Sequence, residues 1–153
     1  MKKILAMFLA CTMLLGVTAC GAAEEEEVVA AATCTVEQDG VVTKMIFDAK
    51  GDVVTKITQE SSVSLEGYTD DQIVEIEALI EDAKAAYADI EGVTYSAEIT
   101  DDQLLETIVI PTDEDTLQAV VQAGLLPVDN EEVTQLSLEN TVANLEESGW
   151  TVE

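Results

Sequence analysis

The 153-residue sequence contains no histidine and no arginine. Without histidine the chain cannot form Ser/His/Asp or Cys/His catalytic groups, and it lacks both the commonest general base and the usual ligand of transition metals. Six lysines with no arginine also leave no cationic clamp for a transferring phosphoryl group. We therefore expect a protein that is not an enzyme and that has no catalytic residues and no cofactor.

Aromatic residues are also scarce, at 4% of the chain. Paired carboxylates held about 5 to 10 Å apart can hydrolyse glycosides. Such sites usually lie in clefts with aromatic platforms, and acidic pairs at that separation are expected by chance among 32 Asp and Glu residues. A hydrolase is therefore the third interpretation, after two non-enzymatic ones.

The N-terminus has the three-part layout of a bacterial export signal. Two lysines precede a largely apolar stretch of 14 residues from Ile4 to Val17, and small residues follow up to Cys20. This stretch is too short for a membrane-spanning helix, which needs about 20 residues. A cysteine in this setting is typical of bacterial lipoproteins, so we predict a signal peptide over residues 1–19 and fatty acylation, such as palmitate, at Cys20. The alternative is an ordinary secretory signal cut near Ala19 or Ala23.

Acylation at Cys20 predicts a location at the cell membrane, lipid-anchored on the extracytoplasmic side. Each buried methylene contributes about 0.8 kcal/mol, so two or three acyl chains hold the protein with no other membrane contact. Beyond Cys20 the side-chain charge is −28, the difference between four lysines and 32 acidic residues. This charge repels nucleic acids and anionic headgroups. The expected partner is an unknown envelope protein or a cationic ligand.

The remaining chain divides into a tether and one domain. Residues 20–30 hold the lipidated cysteine and the run Glu24–Glu27, a composition typical of an extended acidic tether. Residues 31–153 are expected to fold, because the chain is 48% apolar despite its charge. Cys34 is left without a cysteine partner and without a nearby cation, so we expect a buried small hydrophobic residue and not a nucleophile.

A period of two in the apolar residues predicts antiparallel strands. Five strands are expected, over residues 32–37, 41–48, 53–63, 93–99 and 104–110. Asp39-Gly40 and Asp101-Asp102 have the composition of tight turns. The last strand is apolar on both faces, so it should lie in the interior of the sheet.

Three helices are also expected. The longest covers residues 70–91, with apolar residues at steps of three and four, a capping box beginning at Thr69, and Gly92 just past its end. Two shorter helices begin near Thr112 and Ser137. The sequence therefore predicts an α+β fold, a mostly antiparallel sheet of about five strands with one long and two shorter helices packed on it as a two-layer sandwich.

The order of these elements and several short strings resemble the YehR-like family of small bacterial lipoproteins. The strings are Thr33-Cys34-Thr35, Gly92-Val93-Thr94-Tyr95, Glu106-Thr107-Ile108, and Ser137 through Leu145 to Gly149-Trp150. The resemblance covers about Thr33 to the C-terminus. It implies an α+β domain attached to the envelope by lipid, with a domain of unknown function. The chain departs from the family in its acidity and at Ile110-Pro111-Thr112, so no shared ligand is carried over.

Acidic turns suggest a metal site as an alternative. Strands that alternate in direction would bring together, at the end away from the tether, Asp39, Asp70, Asp71, Asp101 and Asp102. Hard cations such as calcium bind carboxylate oxygens. These residues are also ordinary helix-start and turn residues, and the sequence has no calcium loop with the required glycine and terminal glutamate.

Two functional hypotheses follow. The first is a lipid-anchored extracytoplasmic domain with a non-enzymatic binding or assembly role at the bacterial cell envelope. The second is weak binding of divalent cations or cationic peptides through the carboxylate surface. Salt distinguishes them, because binding through apolar surface depends little on ionic strength.

Overall fold

The computed structural model describes residues 26–100, 102–126 and 133–153. In this part of the chain six antiparallel strands form one sheet, in the order β4-β5-β3-β2-β1-β6. The strands are β1 (Glu27–Gln38), β2 (Val41–Lys50), β3 (Val53–Ser64), β4 (Thr94–Ile99), β5 (Gln103–Pro111) and β6 (Thr151–Val152). The helices are α1 (Asp70–Ala88), α2 (Glu114–Gln122) and α3 (Leu138–Glu147). The predicted α+β class is confirmed, with one strand more than expected.

The first hairpin forms where Asp39-Gly40 predicts it. Gln38 lies opposite Val41, and the two turn residues have φ angles of 53° and 81°. Positive φ at both central positions is the type I′ geometry that matches the twist of the flanking strands. The interior position predicted for the strand at 104–110 is also confirmed, because β5 lies between β4 and β3.

β1 begins at Glu27, inside the segment predicted to be tether and before the predicted strand start near residue 32. Its ladder with β2 is interrupted between Val28 and Ala32, and Ala30 in the interruption has a φ of 51°. A bulge of this kind breaks the period of two on which the strand prediction relied. Cys20 and the rest of the predicted tether up to residue 25 lie outside the described residues.

Two helix boundaries also differ from the prediction. The capping box of α1 is present, but the helix ends at Ala88 and not at Glu91, and Asp89 caps it. α2 is capped by Asp113, whose carboxylate accepts a hydrogen bond from the Thr116 amide at 3.1 Å. The predicted cap, Thr112, instead uses its buried hydroxyl to donate to the Val54 carbonyl of β3.

The three helices of the described residues cover one face of the sheet, and the core lies between these two layers. The larger cluster joins β1, β2, β3 and β5 to α2 and α3, and its fully buried members include Cys34, Phe47, Leu117, Val120 and Leu145. A smaller cluster lies under the first half of α1 and holds Val63, Leu65, Ile76, Ile80 and Leu104. No helix within the described ranges is long and apolar enough to cross a bilayer.

Candidate functional site

The acidic residues predicted as a metal site do not form a cluster in the described part of the chain. Strand pairing places Asp39, Asp102 and the start of α1 at the same end of the sheet. β3 separates the β1–β2 turn from the β4–β5 turn, and Asp70 and Asp71 occupy the first turn of α1. Among residues 26–100, 102–126 and 133–153, no group of three potential ligands could hold a metal ion. Asp101 lies outside these residues.

The opposite end of the domain contains a groove of about 580 Å³. β1 and β6 form one wall, α3 forms the other, and the β2–β3 turn closes one end. Its apolar lining consists of Ala31, Ala32, Leu138, Val142, Ala143 and Val152. Leu138, Val142 and Val152 are half-buried and pack against the core below, so the apolar surface of the groove is continuous with the core.

Acidic side chains surround this apolar lining. Asp52, Glu139, Glu146 and Glu153 all line the groove, and all four residues are exposed. Asp52 already has a structural role, because its carboxylate accepts from the Glu139 amide and its carbonyl accepts from the Leu138 amide, both at 2.8 Å. These bonds fix the start of α3 beside the β2–β3 turn. The other three carboxylates form no ion pair among the described residues.

The β1 wall of the groove has an unpaired stretch. β6 pairs only with Cys34 and Thr35, and Glu153 extends this pairing by exchanging backbone hydrogen bonds with Thr33 at 2.8 and 3.3 Å. Beyond Thr33, residues 29–31 have no strand partner in the described part of the chain on either side. This stretch is the bulge itself, in which residues 29–31 lie opposite Asp48 alone, and a bulge of this kind disfavours pairing of the edge with another strand.

Cys34 lies beneath the groove and is completely buried. Burial and, to a smaller extent, the nearby Glu146 charge raise the pKa of its thiol to about 11. A thiol with so high a pKa stays protonated and is a poor nucleophile. The prediction that Cys34 is a buried small hydrophobic residue is confirmed.

The buried carboxylate of Asp48 holds the start of β1 next to the groove through an ion pair and a hydrogen bond. Asp48 is 3% exposed and pairs with Lys56, while the Ala30 amide donates to its Oδ1 at 2.8 Å. Burial alone raises the pKa of Asp48, but the hydrogen bonds from Lys56 and Ala30 and the Lys56 charge lower it overall. These interactions of Asp48 therefore hold Ala30 at its positive φ and shape the groove wall.

A second buried carboxylate lies between the two core clusters, on the helix-covered face. Glu106 is 6% exposed and faces Ser61 on β3 and Ala97 on β4. The Tyr95 hydroxyl donates to it, while its Oε2 has no hydrogen-bond partner among the described residues. Burial raises the pKa of Glu106, and the Tyr95 hydrogen bond lowers it by less. Tyr87 of α1 stacks on Tyr95 with centroids 5.2 Å apart and planes at 7°.

Sequence reasoning identified neither Glu106 nor the groove. Glu106 stands at an inward position of the alternating strand Leu104, Glu106, Ile108, and that alternation was a usable signal of burial. The groove had no such signal, because it depends on the position of α3 against a two-residue strand and a bulged one. Both carboxylate sites come from tertiary packing.

Comparisons with known proteins agree with this architecture. Over residues 30–151 the chain matches the family described as "Protein of unknown function (DUF1307)". It is 25% identical over 150 residues to the uncharacterized lipoprotein Lmo0207 of Listeria monocytogenes, covering 98% of this chain and 95% of that protein. It is 29% identical over 110 residues to the uncharacterized lipoprotein Lin0239 of Listeria innocua, covering 72% and 69%.

Two solved structures share the fold. The NMR structure of the Escherichia coli YehR protein has a TM-score of 0.63 at 19% identity, covering 84% of this chain and 91% of that one. The NMR structure of a protein from Streptococcus pneumoniae TIGR4 has a TM-score of 0.58 at 12% identity, covering 90% and 91%. The predicted resemblance is confirmed, and the chain belongs to the DUF1307 family, a YehR-like lipoprotein family of unknown function.

Proposed function

We propose that this protein is a lipid-anchored, extracytoplasmic binding protein of the bacterial cell envelope that acts without catalysis. The observation that carries this proposal is the groove between α3 and the β1–β6 edge, which offers half-buried apolar surface to a partner. The groove is wide open to solvent and its lining is more apolar than polar, so this apolar surface is accessible to a partner. The names of the Listeria relatives support anchoring by lipid.

The position of the groove supports a role close to the membrane. Ala31 lines it and lies eleven positions after the predicted lipid attachment at Cys20. An extended chain spans at most about 3.3–3.6 Å per residue, so the groove lies within roughly 40 Å of the acylated cysteine. A partner bound there would itself be part of the envelope or pass close to the membrane surface.

The first experiment tests anchoring. A clickable palmitate analogue fed to cells producing the full chain should label the wild type and leave a Cys20→Ala variant unlabelled. The cells are then converted to protoplasts with lysozyme or a lysostaphin-type enzyme. Protease added to these protoplasts should degrade the labelled protein from outside. Unlabelled wild-type protein recovered from the culture medium would contradict the anchoring proposal.

The second experiment tests binding. The acylated protein is crosslinked in its native membrane, captured and analysed by mass spectrometry, with a blocked-groove variant and a matched surface variant alongside. We expect at least one envelope protein that is enriched with the wild type and lost when Ala143→Trp fills the groove. Ala86→Trp, at an exposed position of α1, is the matched control. Capture of no protein above background would contradict a binding role.

The alternative is weak binding of divalent cations through the carboxylate surface, including Asp70, Asp71, Asp101 and Asp102. The side-chain charge of −28 beyond Cys20 favours it, because such a field concentrates cations near the protein. Isothermal titration with Ca²⁺ at low and at physiological salt tests it. A saturable heat that survives physiological salt would support a defined site, and a signal that disappears with salt would leave only diffuse screening.

A further inference from the structure

We infer that α1 forms a pH-sensitive lid, which opens as the pH rises because it covers the buried carboxyl group of Glu106. The lid consists of residues 68–91, between Gly67 and Gly92. It lies at the opposite edge of the sheet from the groove, so the inference goes beyond the proposed binding function and does not depend on it. Four observations carry it: the partners of Glu106, the charges around it, the shallow seat of α1 and the glycines that bound the lid.

Glu106 lies beneath the lid with an incomplete set of hydrogen bonds. It is 6% exposed, and its charge acts on Tyr87 of the lid. The Tyr95 hydroxyl donates to its carboxyl group, whose buried Oε2 has no partner among the described residues. A buried charge without full pairing costs more free energy than a buried neutral group. The closed lid therefore favours the protonated form of Glu106.

No positive charge faces Glu106 in the described part of the chain. The lid brings Tyr87 and β4 brings Tyr95, and burial raises the pKa of both phenols, so both stay neutral at physiological pH. β3 brings the uncharged Ser61 and Gln59, and the buried side chains of α2 are also uncharged. The exposed side of the lid carries eight acidic residues and one lysine. Ionisation of Glu106 is therefore uncompensated while the lid is closed.

The lysines of the described residues are engaged or exposed elsewhere. Three pair with other carboxylates and one is exposed at the end of β2, namely Lys44 with Glu60, Lys56 with Asp48, Lys84 with Glu81, and Lys50. An ionised Glu106 would gain a favourable environment only by reaching water, because no cation lies beside it.

The lid is seated on the sheet by few side chains. Of the 19 residues of α1, the buried ones are Ile76, Ile80 and Tyr87. The two isoleucines cover the smaller core cluster, and Tyr87 stacks on Tyr95. A segment with few buried apolar contacts opens at a lower free energy than the core of a domain. α1 can therefore separate from the sheet while β1, β2 and β3 stay paired.

Glycines at both ends of the lid provide its hinges. Gly67 and Gly92 each have a φ of 86°, a backbone conformation that glycine adopts without strain. A Cβ at Gly67 would meet no described atom within 4 Å, and one at Gly92 would meet the side chains of Thr116 and Pro111 at 3.4 and 3.5 Å. Hinges are positions at the ends of elements that absorb backbone rotation. These two glycines are where the chain turns as the lid opens.

The direction of the pH effect follows from the two forms of the lid. In the open form Glu106 has its ordinary pKa of 4.5, whereas burial raises its pKa in the closed form. Between these two values the open form releases a proton that the closed form retains, so the ratio of open to closed rises by up to about tenfold per pH unit. Above the closed-form value the ratio is constant. Opening exposes apolar side chains of the smaller core cluster, so this surface depends on pH.

Hydrogen exchange of the purified full chain, followed by mass spectrometry at pH 5 and pH 8, tests the lid. After correction for the intrinsic exchange rate at each pH, we expect the protection of α1 amides to fall about tenfold from pH 5 to pH 8. At pH 8 these amides should be protected at least roughly tenfold less than those of β2, in the interior of the sheet. Low concentrations of urea should change α1 protection less than β2 protection, because opening the lid exposes less surface than unfolding the domain.

Two variants connect the effect to Glu106. Glu106→Gln keeps the shape of the side chain but cannot ionise, so α1 protection at the two pH values should agree within about twofold. Glu98→Gln, which removes the same charge from an exposed position of β4, is the control and should retain the wild-type fall. Tyr95→Phe removes the donor to Glu106 and should lower α1 protection about tenfold further at pH 8, and less at pH 5. Far-ultraviolet circular dichroism checks that each variant is folded.

Three results would overturn the inference. The first is a wild-type α1 protection that does not change between pH 5 and pH 8. The second is the wild-type fall retained in Glu106→Gln or, if that variant does not fold, a Tyr95→Phe protection equal to that of the wild type at pH 8. The third is equal protection and equal urea dependence of α1 and β2, because α1 would then open only when the whole domain unfolds.

Discussion

Asp48 and Glu106 are both nearly inaccessible carboxylates, yet their environments have opposite effects on their pKa values. Asp48 pairs with Lys56 and accepts from the Ala30 amide, so its pKa is lowered overall. Within the described part of the chain Glu106 has the Tyr95 hydroxyl as its partner and no partner at Oε2, so burial dominates and its pKa is raised. The difference shows that burial alone does not decide how a carboxylate affects stability. The number and charge of its partners decide it.

The two sites therefore have opposite pH dependences. A lowered folded pKa means that Asp48 stabilises the fold above its ordinary value of 3.8 and loses that contribution as the pH falls through its folded value. A raised folded pKa means that Glu106 favours the fold below its ordinary value of 4.5 and loses that contribution as the pH rises through its folded value. Substitutions at each site can separate these contributions.

The largest effect is expected for Lys56→Met, which leaves the buried Asp48 with one amide partner. We expect a loss of about 2 kcal/mol in the free energy of unfolding at neutral pH, less than for a fully buried pair because Lys56 is partly in water. Urea unfolding followed by fluorescence of Trp150, the one tryptophan, measures it. The loss should shrink toward pH 3. An unchanged midpoint at pH 7 would show that Asp48 does not depend on the pair.

Tyr95→Phe removes the hydroxyl that donates to Glu106. We expect the free energy of unfolding to fall by about 1.5 kcal/mol at neutral pH, because the buried Glu106 carboxylate loses this hydrogen bond. The loss should be smaller at pH 4, where the carboxyl is protonated. Tyr68→Phe, at a half-buried tyrosine beside the smaller core cluster, is the control and should change stability by much less. Equal losses for both variants would contradict a role for the hydroxyl.

Glu106→Gln is expected to stabilise the protein. It replaces a carboxylate of raised pKa by a neutral group of the same shape, so we expect a gain of about 1 kcal/mol at pH 8 and almost none at pH 4. Thermal unfolding across this pH range measures the difference. Glu98→Gln removes the same charge from an exposed position of β4 and corrects for relief of the overall acidic repulsion. A gain at Glu106 no larger than at Glu98 would contradict this account.

The smallest effect is expected for Lys44→Met. Lys44 pairs with Glu60 at 3.5 Å, and the side chains are 42% and 49% exposed. Exposed pairs contribute little because water and salt screen them, so we expect a change below about 0.5 kcal/mol. The same urea titration as for Lys56→Met provides the comparison. If Lys44→Met lowered the free energy of unfolding as much as Lys56→Met, the burial of Asp48 would not explain the contribution of its ion pair.

Local chemistry in the sequence predicted much of the fold. The Asp39-Gly40 turn, the capping box at Thr69 and the stripe that includes Ile76 and Ile80 each depend on residues close in the chain, and each prediction is confirmed. The early start of β1 was missed because the bulge at Ala30 is held by Asp48, which lies on another strand. β6 was missed because two residues carry no periodicity and their pairing depends on β1.

The candidate site was less predictable for the same reason. Of the predicted acids, Asp39, Asp70, Asp71 and Asp102 remain turn and helix-start residues. The groove combines a bulged strand, a two-residue strand and a helix that are far apart in sequence. Glu106 could have been recognised from its inward place in β5. The lack of a partner for its Oε2 among the described residues could not be predicted, because it depends on the side chains that Tyr87, Tyr95 and Ser61 bring from three other elements.

The burial of Cys34 makes it a built-in reporter of the β1–β6 edge. Cys34 lies opposite Val152 and is completely inaccessible, so a thiol reagent reaches it only when the two strands separate. With Cys20 acylated and Cys11 removed with the signal, its sulfur would be the single free thiol. The rate of its modification would then measure how often this edge opens, and an occupant of the groove that holds β6 in place should slow the reaction.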